Sequence, residues 1–88
     1  MRELVSLRHS IRDIIADNVG RLLTARRLAD VELRLHIAVQ VYFQQINYKP
    51  YPWRVSVVSV NDTLCPRFLC DKKDLDTFAR IVSELECE

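Results

Sequence analysis

The side chains able to do chemistry in this 88-residue chain are three cysteines, two histidines and one crowded aromatic stretch. Cys65 and Cys70 are five apart, so on a strand they point to opposite faces. Cys87, His9 and His36 belong to other elements, and no CxxC or HxxxH spacing occurs. Structural zinc sites use paired ligands at short spacing, so no metal site is expected. The same geometry argues against a Cys65–Cys70 disulfide, and an odd number of cysteines cannot all pair within one chain. Residues 1–9 lack an apolar leader core, and no apolar run approaches the ~18 residues of a membrane span. The expectation is free thiols in a reducing cytoplasm, with no membrane contact.

Catalysis finds no pattern to rest on. His36 stands among polar residues with Arg34 and Gln40, and His9 lies on the flank of the first helix. Neither has a nucleophile or a paired carboxylate at a recognisable spacing. A phosphate-cradling loop needs several glycines, and Gly20 is the only one. No enzyme activity and no cofactor are expected.

Recognition is the better prospect. Of the seven aromatic residues, five lie between positions 42 and 53: Tyr42, Phe43, Tyr48, Tyr51 and Trp53. Lys49, Pro50, Pro52 and Arg54 are interleaved with them. Trp, Tyr and Arg dominate binding hot spots because they bury large areas at low rotamer cost and keep a polar handle. Proline limits the loop's freedom, so such a segment can be presented in one shape. The rings could equally fold back to cap the core, with Trp53 and Phe43 as anchors and Tyr48 and Tyr51 left outside.

These residues must be placed by a small set of elements. Leu4, Leu7, Ile11, Ile14 and Ile15 form a helical stripe that stops near Asn18-Val19-Gly20. A second helical piece runs from Arg21 to about Leu28, or one bent helix covers both. Residues 31–43 carry an apolar side chain at every odd position, which predicts a first strand. Its outward row would be Glu32, Arg34, His36, Gln40 and Tyr42, a polar platform. Arg54–Val60 predicts a second strand, its alternation slipping at Val57-Val58. A turn at Asn61-Asp62-Thr63 leads to a third strand, Leu64–Cys70, placed at an edge by Pro66. Asp71 caps a closing helix with the stripe Leu75, Phe78, Ala79, Val82 and Leu85; Glu84, Glu86 and Glu88 stand at its unfavourable end.

The fold class expected is α+β: an N-terminal helix, single or broken near Gly20, then a three-stranded antiparallel sheet and a C-terminal helix. The helices would lie on one face of the sheet, in a single domain over residues 1–88. This order resembles that of the double-stranded RNA-binding domain family. The resemblance implies duplex contacts from Lys49 in the long loop and from Lys72 and Lys73 at the start of the last helix. Asp71, Asp74 and Asp76 depart from that family's lysine-rich helix start, because carboxylates repel phosphate.

The net charge is +1, split into +4 over residues 1–54 and −3 over residues 55–88. This falls short of the concentrated basicity of a strong nucleic-acid binder. The aromatic clustering and the lack of a catalytic pattern therefore favour a non-enzymatic protein-interaction module of the adaptor, subunit or inhibitor kind, with nucleic-acid binding, to double-stranded RNA or by stacking on single strands, as the alternative. The expected contact residues are Tyr48, Lys49, Tyr51, Trp53, Arg54, Arg34, His36 and Tyr42. A protein partner is expected, and the charge split with an exposed sheet makes a homodimer a second expectation.

Overall fold

Leucine and isoleucine at three- and four-residue steps wind Arg2–Ala16 into helix α1, which buries Leu4, Leu7 and Ile11. In the computed structural model, which describes residues 2–83 and 85, the chain then turns through Gly20 in the left-handed region, φ +75°. Asn18 fixes this corner: its amide donates to the Ile14 carbonyl at 2.8 Å, and its oxygen accepts from the Arg27 guanidinium at 3.0 Å. Thr24 caps the next helix by accepting the Arg27 backbone N–H at 3.1 Å. That helix, α2, runs unbroken from Ala25 to Gln45.

The strand expected over residues 31–43 is therefore helix, and the sheet has two strands instead of three. The reason lies in the apolar spacing itself. Val31, Leu35, Val39 and Phe43 recur every four residues, a period that drifts only about 40° per step around a helix. These four are the buried ones. Leu33, Ile37 and Val41 repeat at the same step on the opposite side, where they are 57, 52 and 45% exposed. Two helical stripes a half-turn apart produce the odd-position alternation of a strand. The polar row dissolves for the same reason, since residues two apart fall on opposite sides of a helix.

Strand β1, Arg54–Val60, pairs antiparallel with β2, Thr63–Leu69, in a regular register without a bulge at Val57-Val58. Asn61 and Asp62, with φ of 52° and 63°, form the two-residue turn between them. Counted from the Val60–Thr63 pair, alternation leaves Val57 and Pro66 opposite each other at a non-hydrogen-bonded position. Pro66 thus loses no ladder bond. The Val57 N–H points away from β2, and the Glu32 carboxylate of α2 accepts it at 3.0 Å.

A short 3-10 turn, Lys72–Asp74, leads into helix α3, Leu75–Val82, with Asp71 accepting the Lys73 N–H at 2.9 Å. Phe78 and Ile81 of α3 join Val57, Leu64 and the buried stripes of α1 and α2 in one core. Arg8 of α1 closes the far end of α3, donating to the Arg80 carbonyl at 2.5 Å and to Ser83 Oγ at 2.6 Å. The order ααββα is α+β, but it lacks the central three strands on which the resemblance to RNA-binding domains rested. No described helix is long and apolar enough to cross a membrane.

Cys65 is disulfide-bonded and Cys70 is a free thiol, so three free thiols are not found. The spacing argument excluded only a Cys65–Cys70 pair. Cys87, Glu84, Glu86 and Glu88 lie outside the described residues.

Candidate functional site

The segment after α2 is shaped first by the way the helix ends. Asn47 takes a left-handed conformation, φ 55°, and its N–H bonds to the Gln44 carbonyl at 3.3 Å. The Tyr48 N–H reaches back to the Phe43 carbonyl at 2.9 Å. This is the Schellman arrangement, with Asn47 in the position glycine usually takes. Its customary apolar contact is also present, because the Tyr48 and Phe43 rings lie 5.3 Å apart.

The loop is then sewn to the other end of the chain by one carboxylate. Asp74, 2% exposed, accepts a hydrogen bond from the Tyr48 hydroxyl at one oxygen and from the Tyr51 backbone N–H, at 3.0 Å, at the other. A buried carboxylate is costly without partners, and the loop supplies them. The bond to Asp74 is the main cause that lifts the Tyr48 hydroxyl above its ordinary 10.0, because ionising it would place two anions together. Burial, followed by the Asp74 and Asp71 charges, raises the Cys70 thiol above its ordinary value.

Trp53 ends the loop and ties it to the core. Its ring stands edge-on to Phe43 at 5.9 Å, lies 5.3 Å from Phe78, and stacks on His36 of α2 at 4.4 Å with 20° between planes. Edge-to-face and offset arrangements of this kind satisfy the ring quadrupoles. Lys73 sits 5.1 Å over the Tyr51 ring, a cation–π contact at the outer rim.

Between the loop and the second half of α2 runs a groove of about 770 Å³. His36, Gln40 and Gln44, one helical turn apart, form one wall; Tyr48, Lys49, Tyr51 and Trp53 form the other. Five of the eight expected contact residues are thus brought together: Tyr48, Lys49, Tyr51, Trp53 and His36. Arg54 lines the neighbouring hollow with Leu69 and Cys70. Arg34 is elsewhere, on the outer face of α2, paired with Asp30 at 3.1 Å. Tyr42 is half-buried on the core side, 5.7 Å from Phe43, and does not line the groove. Both displacements follow from the helix, which separates residues that a strand would align.

Asp74 was missed as part of the site, and no local pattern announces it, since its partner Tyr48 is 26 residues away. Gln44 and Asn47 were missed because residues 31–43 were expected to be extended. Among the described residues no cluster of three or more His, Cys, Asp or Glu side chains could hold a metal ion. No protein-family model, no curated protein and no solved structure matches this chain.

Proposed function

We propose that the chain is a non-enzymatic protein-interaction module whose contact site is the groove between α2 and the loop Asn47–Trp53. The observation that carries this reading is the Asp74 clamp, which holds a loop of two tyrosines, two prolines and a tryptophan in one shape. A binding surface held ready avoids the ordering cost of about 0.5–1.5 kcal/mol per immobilised side chain. Tyr51 is the outward anchor, 51% exposed with Lys73 over its ring, while Trp53 ties the loop to the core. Gln40 and Gln44 offer amides along the opposite wall, suited to the backbone of a bound protein segment.

Selection from a random peptide display library on the immobilised full chain tests this. Enriched peptides should bind Tyr51→Ala at least about tenfold more weakly, the loss expected of a hot-spot residue. The thermal midpoint of that variant should stay where it was. Enriched peptides that bind Tyr51→Ala as tightly as the parent would place the contact elsewhere.

A further inference from the structure

Helix α2 carries more apolar surface than the fold uses. Its inner stripe, Val31 to Phe43, is consumed by the core, but Leu33, Ile37 and Val41 form a second stripe that lies outside the core and stays about half exposed. The stripe is about 12 Å long, winds gently along one side of the helix, and is centred on Ile37. At its Leu33 end it continues into a hollow of about 510 Å³ that Leu33 shares with Leu69, itself 63% exposed. Scattered surface leucines are ordinary, but an aligned run opposite the core-facing stripe marks an association face.

From this stripe we infer that the chain forms a symmetric dimer in which α2 pairs antiparallel with α2 of a second copy, about a two-fold axis at Ile37. The charges beside the stripe select this arrangement. Outer-face charges lie only in the first half of the helix, at Arg26, Asp30 and Arg34, whereas Gln40, Gln44 and Gln45 fill the second half. Antiparallel pairing about Ile37 sets Leu33 level with Val41 of the second copy, and Asp30 level with Gln44. A parallel pair would set Asp30 against Asp30 and Arg34 against Arg34. The antiparallel pair therefore buries the stripe against itself without a facing like charge, the self-complementarity that a two-fold interface requires. Three half-exposed side chains fall well short of the roughly 800 Å² per partner of a standard interface, so the dimer is weak.

Sedimentation equilibrium of the full chain between about 10 μM and 1 mM tests this, with an expected dissociation constant on the order of 100 μM. Ile37→Glu should be monomeric throughout, with an unchanged thermal midpoint at the lowest concentration because Ile37 contributes nothing to the core. The register has its own test at Gln44. Gln44→Lys, facing Asp30 of the second copy twice per dimer, should tighten association about three- to tenfold, and Gln44→Glu should weaken it by as much. Both effects should fade in 1 M NaCl, where screening reaches about 3 Å. A parent chain monomeric at 1 mM, a dimer indifferent to Ile37→Glu, or two Gln44 variants that shift association in the same direction would overturn the proposal. Gln44 also lines the groove, so peptide binding is read separately on the parent chain and on Ile37→Glu, a change outside the groove lining.

Discussion

Asp74 accepts the Tyr48 hydroxyl across 26 residues of sequence, joining the start of the last helix to the end of the longest one. Its second oxygen takes the Tyr51 N–H, so a single buried side chain determines the shape of the aromatic loop. Asp74→Ala should cost about 2–4 kcal/mol in urea unfolding, since it strands two donors that were bonded to a charged acceptor. Hydrogen exchange at the Tyr51 amide should accelerate in the same variant. An amide that exchanges at the parent rate would mean the loop holds its shape by other means.

The elevated Tyr48 hydroxyl makes a pH prediction of definite sign. The folded state favours the neutral phenol, so this stabilisation is fully present below the unfolded value of about 10 and is lost as pH rises through the higher folded value. The thermal midpoint of the parent should therefore fall more steeply above pH 10 than that of Tyr48→Phe. Absorbance at 295 nm should show a late tyrosine ionisation that Tyr48→Phe removes.

Trp53 and Tyr51 should separate stability from binding. Trp53→Ala removes a ring that touches Phe43, Phe68, Phe78 and His36, and should cost about 3 kcal/mol. Tyr51→Ala removes an exposed ring and should remain within about 0.5 kcal/mol of the parent. Chemical denaturation of the two variants side by side decides it; equal losses would show that Tyr51 is structural as well.

The hairpin turn should accept improvement. Asp62 holds a φ of 63°, a conformation that strains a residue with a Cβ, and Asn-Gly is the favoured pair for a turn of this kind. Asp62→Gly should raise stability by about 1 kcal/mol, read as a higher urea midpoint at constant slope.

Much of this architecture is written in local patterns. The Leu4–Ile15 stripe, the break at Gly20, the Asn61-Asp62 turn and the Asp71 cap all follow from short-range chemistry and stand as expected in the structure. Residues 31–43 do not yield to the same method, because period-two alternation and a pair of period-four stripes place apolar residues at identical positions. The discriminating signals lay upstream and in length: Thr24 offers an N-cap, Asp30 and Arg34 are spaced for a helical ion pair, and thirteen residues exceed the usual strand. At the site, the aromatic and proline content of 48–53 identified the loop, since those residue types act wherever the chain places them. The Asp74 clamp was illegible, because contacts closed by tertiary folding leave no spacing to read.

Glu32 and Pro66 have a consequence of another kind. One occupies a backbone donor on the outer margin of β1, and the other lacks a donor at the facing position of β2. A bare ribbon of two strands is a natural seed for fibrous growth, yet here each flank is interrupted at its midpoint. Crowded solutions of this chain should accordingly favour discrete pairs through helices over filaments.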